Sequence, residues 1–382
     1  MRKIDSAGVF INILILMIAI CIAILAFRHY MDENKFTNGF LTSEANVVIA
    51  SIQGEKIDEI NNKINNEESD KTKDTKLPIL AENINANSKD NASTNNSNNY
   101  KYYYNQLDNN GKKIYNAIES NIENIKSGTY VINLPSEIGK LLEDENGKEI
   151  LNIEFQSAWD AIIMDNTEIF FIDVSKVTLE IRTTSYGKIK VNNLSIKPNS
   201  TTYLEDDFNS REKVDTAILQ ARNVRDQIIS QLSGNDYEKI LQVNDLLVEN
   251  LEYSTVYGKN AYNIYGALMQ RNCVCEGYAE AFKYIMDALN IPCILVVGTA
   301  QNADGSGENH EWNYVKIDEN WYAMDVTWND PIIVGGGRLT NNMKRRYVLK
   351  GNDINSNHFP NGKISENGMT FSYPELSSRD YK

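Results

Sequence analysis

Residues 264–330 read IYGALMQRNCVCEGYAEAFKYIMDALNIPCILVVGTAQNADGSGENHEWNYVKIDENWYAMDVTWND, and where the cysteines fall in this stretch decides the fold. Tyr278, Phe282, Ile285 and Leu289 recur at the spacing of one buried helix face. The helix is expected to start near Gly277 and to end at Asn290, before Pro292. Cys275 then lies at its N-terminal edge. There the positive end of the helix dipole and unpaired backbone N–H groups favour a thiolate, and the same groups can receive an oxyanion. A lone free cysteine is more simply a small buried hydrophobe, so the assignment depends on its downstream company.

The chain holds three histidines: His29, His310 and His358. His310 opens a strand, EWNYVKI, after the Gly/Asn/Asp-rich loop 301–309, and a second strand, WYAMDVT, carries Asp325. Side chains alternate along strands, so a connection with an even number of residues puts His310 and Asp325 on one face; a loop such as 316–319 would pair them directly, and an odd loop would split them. Given an even loop, Cys275, His310 and Asp325 form a nucleophile, a base that takes its proton and a carboxylate that orients the imidazole. HEWNY is not the zinc-protease H-E-x-x-H, because Tyr314 stands at its fifth position. Cys273, Cys275 and Cys293 with His310 have poor zinc-finger spacing, so no metal is expected. Trp312 and Trp328 read as core or cleft-wall aromatics. Glu276 reads as a first-turn acid that suits the helix dipole.

Outward from this segment, the 382 residues carry 52 acidic against 38 basic side chains, a net charge of −14 with no basic footprint for a phosphate backbone. Nucleic-acid binding is excluded as a function class. Four cysteines are too few for a disulfide framework, though a Cys273–Cys293 bridge outside the cell would not disturb the site. Residues 8–27, GVFINILILMIAICIAILAF, form an apolar run long enough as a helix to span roughly 30 Å of hydrocarbon. It is longer than a signal-peptide core and is followed by Arg28-His29-Tyr30 rather than by a small-x-small cleavage site, which favours an uncleaved anchor. Arg2 and Lys3 tip the orientation toward an inside N-terminus, with the rest of the chain outside the plasma membrane.

The expected organisation is a short cytoplasmic tail at 1–7, a transmembrane helix at 8–27, a stalk at 28–66, an Asn/Ser/Lys-rich disordered linker at 67–100, an α+β accessory region at 101–232 and a core at 233–382. The accessory region opens with a helical pattern through Leu107, Ile114, Ile118 and Ile125, stopped by Gly128. Strand-like pieces follow: TYVINL, NIEFQ, EIFFIDV, VTLEIRT and KIKVNNLSI. Helices are expected at 212–232 and 236–252.

The stretch VCEGYAEAF, then HEWNYV, then the fifteen-residue step to DVTW, resembles the transglutaminase-like superfamily of papain-type thiol enzymes, in particular its branch of bacterial surface proteins and kyphoscoliosis-type peptidases. The resemblance covers roughly 235–330. It implies a papain-like α+β core, with the nucleophile at Cys275, the base at His310, the orienting acid at Asp325 and no cofactor. Large calcium-dependent relatives carry an upstream tryptophan that serves the oxyanion; Trp159 is the only tryptophan before Cys275 and is far from it in sequence, so Tyr253 is the candidate substitute. The activity implied is acyl transfer or hydrolysis at peptide or protein amides, as protease, deamidase or crosslinker. The partner is then a peptide or protein at the cell surface, cell-wall associated in one version. The competing reading is a non-catalytic surface binding module on the same fold.

Overall fold

Gly147–Asp165 shows how this chain builds elements from burial rather than from local propensity. Leu151, Ala158, Ile162 and Asp165 are buried at helical spacing, so the NIEFQ stretch, which alternates like a strand, is helical. The computed structural model describes residues 100–186, 188–256, 258–302, 305–331 and 339–382. The expected tail, transmembrane helix, stalk and nearly all of the linker lie outside these residues. Among the described residues no helix is long and apolar enough to cross a membrane.

Helices α1 (Tyr102–Gln106), α2 (Asn109–Glu119), α3 (Ile122–Ile125) and α4 (Gly147–Asp165) precede a sheet of β1 (Ile132–Asn133), β2 (Val177–Tyr186) and β3 (Lys188–Pro198), in the order β1-β3-β2 and antiparallel throughout, with β1 contributed from between α3 and α4. Asp108 caps α2 through hydrogen bonds from the N–H groups of Asn110 and Gly111. Gly128, at φ +79, takes the left-handed turn that stops the opening helices. The EIFFIDV stretch forms no strand. It folds into two short 3-10 turns, joined to the rest by a single bridge from Ile172 to Leu204. Its consecutive apolar residues are buried without pairing.

Helix α5 (Arg211–Gln231) buries Val214, Ala217, Ile218, Ala221, Val224 and Ile228 along one stripe. It is followed by α6 (Asp236–Asn250), whose start is a complete capping box between Asn235 and Glu238. The expected boundary between accessory region and core falls in the turn between these two helices. Both sides belong to one compact unit.

The central helix α7 runs Cys275–Ala288, two residues earlier than its apolar spacing suggests, so that Cys275 is its first residue. Asn290, at φ 58, closes it, with the Ile291 N–H bonded to the Met286 carbonyl. The helix packs on a four-stranded antiparallel sheet of β6 (Cys293–Gln301), β7 (Gly307–Ile317), β8 (Asn320–Met324) and β9 (His358–Pro360), ordered β8-β7-β6-β9. Two minor strands, β4 (Glu252–Tyr253) and β5 (Asn272–Cys273), pair in parallel just before α7.

Halfway along α7, Lys283 is 1% exposed. Its ammonium lies 2.5 Å from Asp287 Oδ2 and 3.3 Å from the Asp165 carbonyl, at the end of α4. Burial opposes its charge, but Asp287 outweighs it and keeps the lysine above its usual range. Removing one partner of such a pair costs about 3–5 kcal/mol, whereas replacing both by apolar groups is often neutral. Asp287→Ala is therefore expected to shift the urea midpoint strongly downward, and Lys283→Met with Asp287→Leu to recover most of the loss, as read by far-ultraviolet circular dichroism.

Candidate active site

The link between β7 and β8 is the two-residue turn Asp318-Glu319, with φ 47 and φ 65 at its two positions, and Ile317 faces Asn320. Two left-handed residues make the turn that suits the twist of a hairpin. The loop is thus even, but shorter than a 316–319 loop. Extending the Asn313–Met324 register by one residue sets Asp325 opposite Trp312 rather than opposite His310. His310 and Asp325 share a face as diagonal neighbours, and Asp325 lies just past the end of β8, its N–H bonded to the Tyr347 carbonyl.

His310 does not open its strand. Gly307, Glu308 and Asn309 are already paired with Gln301, Ala300 and Thr299, so the histidine sits within a long hairpin whose exposed polar end reads as loop in the sequence. Its Nε2 lies 2.9 Å from Asp325 Oδ2, and both side chains are almost wholly buried. Because the carboxylate oxygen accepts, Nε2 carries a proton, and Nδ1 is the ring nitrogen left to exchange a proton with another partner. Cys275 is a further hydrogen-bond partner of the imidazole. Burial works against a charged His310, but the attraction and hydrogen bond of Asp325, aided by Cys275, hold it up at about 10. Asp325 is pushed upward by burial, yet His310 and His358 hold it well below the usual carboxylate range.

Cys275 is half-buried and unoxidised; Cys273 and Cys293 are buried and also free, so they form no bridge. Val274 precedes α7 and supplies no side-chain cap. The first-turn N–H groups therefore have neither a capping side chain nor an intrahelical acceptor. Tyr253, 39% exposed, pairs with Cys273 through β4 and β5 and stacks its ring on Tyr278 at 6.4 Å between centroids. Its strand partner Cys273 stands two residues before Cys275. Trp328 is half-buried, its ring 5.7 Å from His310, and its N–H donates to Asp325 Oδ1. Trp312 is not a cleft residue. It is 1% exposed and lies stacked beside His310 at 6.0 Å, because its position on β7 points into the apolar cluster of Ile294, Val296, Tyr314 and Ala323.

Two features escape the sequence reading. His358, in β9, directs its Nε2 at the same Asp325 Oδ2 from 2.9 Å. His310, Asp325 and His358 offer metal-type ligand atoms within 4.8 Å of one another, but these atoms are already joined by the two hydrogen bonds. A surface groove of about 620 Å³, lined by Tyr314, Tyr373 and Leu376 among others, contains none of Cys275, His310 and Asp325.

The second feature is a group of carboxyls near Cys275. Glu276 and Glu280 are one turn apart on α7, and Glu311 faces them from β7 beside Asn313, which bonds the Ala279 carbonyl of α7. Glu276 Oε2 and Glu311 Oε1 are buried without a hydrogen-bond partner. Burial pushes the Glu276 carboxyl up to about 8. Burial first, and then repulsion from the neighbouring carboxyls, raises Glu280 and Glu311 well above the ordinary range. Glu276 is thus a protonated, desolvated acid rather than an exposed complement to the helix dipole. Between pH 4.5 and 8 the folded chain keeps a proton that the unfolded chain has released, so stability falls as pH rises through that window. Glu276→Gln is expected to raise the melting temperature at pH 8 and to change it little at pH 4.5, measured by calorimetry across that range.

The transglutaminase-like superfamily core matches residues 223–326, from within α5 to one residue beyond Asp325. No curated protein matches the chain. Among solved structures, a TGase is similar with 12% identity and a TM-score of 0.27, over 43% of this chain and 47% of that one. A proposed cysteine protease from Cytophaga hutchinsonii shows 15% identity and a TM-score of 0.25, over 41% of this chain and 68% of that one. The periplasmic domain of TgpA from Pseudomonas aeruginosa, bound to ethylmercury, shows 16% identity and a TM-score of 0.22, over 39% and 65%. The chain spans about half the length of the TGase it matches. Residues 223–326, the segment that carries Cys275, His310 and Asp325, match the core of the transglutaminase-like superfamily.

Proposed function

We propose that this protein is a membrane-anchored, extracytoplasmic cysteine enzyme that transfers or hydrolyses acyl groups at peptide or protein amides. The observation that carries the reading is the unbroken line from Cys275 through His310 to Asp325 at the tip of an uncapped helix. Cys275 Sγ, its proton already held on His310 Nδ1 in an ion pair, attacks the amide carbonyl. The carbonyl oxygen becomes an oxyanion facing the first-turn N–H groups of α7, which were oriented before the substrate arrived and cost no reorganisation. His310 then gives the proton to the departing amine, and a thioester remains on Cys275. Water regenerates the thiol as a hydrolase; a second amine gives a crosslink.

Asp325 contributes by keeping the proton on Nε2, so that Nδ1 faces the sulfur. Tyr253 and Trp328 flank the approach from opposite elements. The anchor at 8–27 and the polar linker at 67–100 support a substrate at the bacterial surface, within reach of the cell wall.

Labelling by an iodoacetamide probe should be lost in Cys275→Ala, together with any amidase or crosslinking activity. Labelling and turnover equal to wild type would remove Cys275 as nucleophile, and surface binding without turnover in the wild-type chain would favour the binding-module reading. Deleting residues 8–27 should move the chain from the membrane pellet to the soluble fraction after ultracentrifugation.

A further inference from the structure

We infer that His358 is a positioning residue of this site: a second imidazole that donates to Asp325 Oδ2 and fixes the carboxylate that orients His310. The inference rests on the thiol-enzyme reading above, and His358 lies outside the superfamily match at 223–326.

The placement follows from the sheet. Strands β7 and β9 flank β6, with His310 opposite Gly298 and His358 opposite Ala300. Both histidines therefore point to the same face. Gly298 lies in the lane between them and has no side chain to fill it. A Cβ there would come within 2.2 Å of the Phe359 carbonyl, so glycine also lets β9 close on β6. The two rings stand 5.6 Å apart between centroids, T-shaped, and Trp328 lies edge-on to His358 at 4.6 Å. His358 is wholly buried, and its Nδ1 is held 2.8 Å from Asn357 Oδ1. A ring gripped at both nitrogens and walled by Trp312, Trp328 and Tyr347 has one orientation.

The chemical consequence lies in what each carboxylate oxygen receives. Asp325 Oδ1 takes the Trp328 N–H, and Oδ2 takes one N–H from each histidine. Three donors saturate the group and hold it in one plane. The charge on Oδ2 is divided between two imidazoles, so it stabilises the His310 imidazolium less than a singly bonded carboxylate would. A less stabilised imidazolium gives its Nδ1 proton to the leaving amine more readily. Without His358 the charge concentrates on His310, which should keep its proton to higher pH.

The test is the rate at which iodoacetamide alkylates Cys275 in the full chain as a function of pH, with Cys275→Ser as background. The alkaline step in that profile, from ion-paired to free thiolate, reports loss of the His310 proton. His358→Leu should move this step upward by about half a pH unit or more. His358→Gln, whose amide can donate from nearly the same place, should move it back toward wild type. His358→Asn, too short to reach Asp325, should behave as His358→Leu and stands in if that variant fails to fold. Equal steps in wild type and in the Leu and Asn variants would overturn the inference, as would a Gln variant shifted as far as Leu, which would mean packing alone. A stoichiometric zinc ion in the wild-type chain that is lost in His358→Leu would overturn it by making His358 a metal ligand. A wild-type profile identical to Cys275→Ser would instead remove the thiol-enzyme reading itself.

Discussion

The site depends on one buried carboxylate that its hydrogen-bond donors hold in the charged form. Asp325 is 1% exposed, a place where an ionised carboxyl is stable only if its acceptor sites are filled. They are filled by two imidazoles and a backbone N–H, drawn from β7, β9 and the turn after β8. Each donor comes from a different segment, so the three meet only when the whole sheet is paired in register. A slip of one residue in β7 against β8 would send His310 to the opposite face and leave the carboxylate buried and under-bonded. The register of the hairpin and the ionisation of Asp325 therefore stabilise each other.

On the other side of β7 the electrostatics run the opposite way. Lys283 opposes the shift at Glu280, but desolvation, joined at Glu280 and Glu311 by repulsion from neighbouring carboxyls, keeps Glu276, Glu280 and Glu311 protonated. Neutral acids can lie near Cys275 without opposing a negative sulfur, whereas ionised ones would raise the cost of forming it. The strand thus separates an ionised carboxylate, bonded to the His310 imidazole, from the protonated carboxyls near Cys275. Alternation of side chains along β7 is sufficient to place His310 and Glu311 in these two environments one residue apart.

The sequence makes the helix of Cys275 and the hairpin of His310 and Asp325 legible because each has a clear apolar period and a turn that can be counted. Neither the parity of the turn nor its length follows from the strand pattern: the two-residue turn depends on Asp318 and Glu319 both taking left-handed φ, which Asp tolerates but Glu does not announce. NIEFQ and EIFFIDV mislead for a physical reason: both are short apolar runs whose local preference is overridden by packing against helices. His358 is unreadable because β9 is three residues long and pairs with a strand nearly sixty residues earlier. Glu276 is misread because its identity suggests solvent, while its burial is set by β7 closing over α7.

The helix that presents Cys275 is held at both ends by different means. Its tip is left without a cap, as a site for negative charge requires, so its rigidity has to come from the other end. There Lys283 reaches Asp287 within the helix and the Asp165 carbonyl at the close of α4. Asp165 in turn receives the N–H groups of Tyr103 and Tyr104 and the hydroxyl of Tyr115. The opening helices of the accessory region are thereby tied to the third turn of α7 through one acidic residue. The accessory region therefore packs as part of one unit with the helix that carries Cys275, because α4 meets that helix at the turn that holds Lys283.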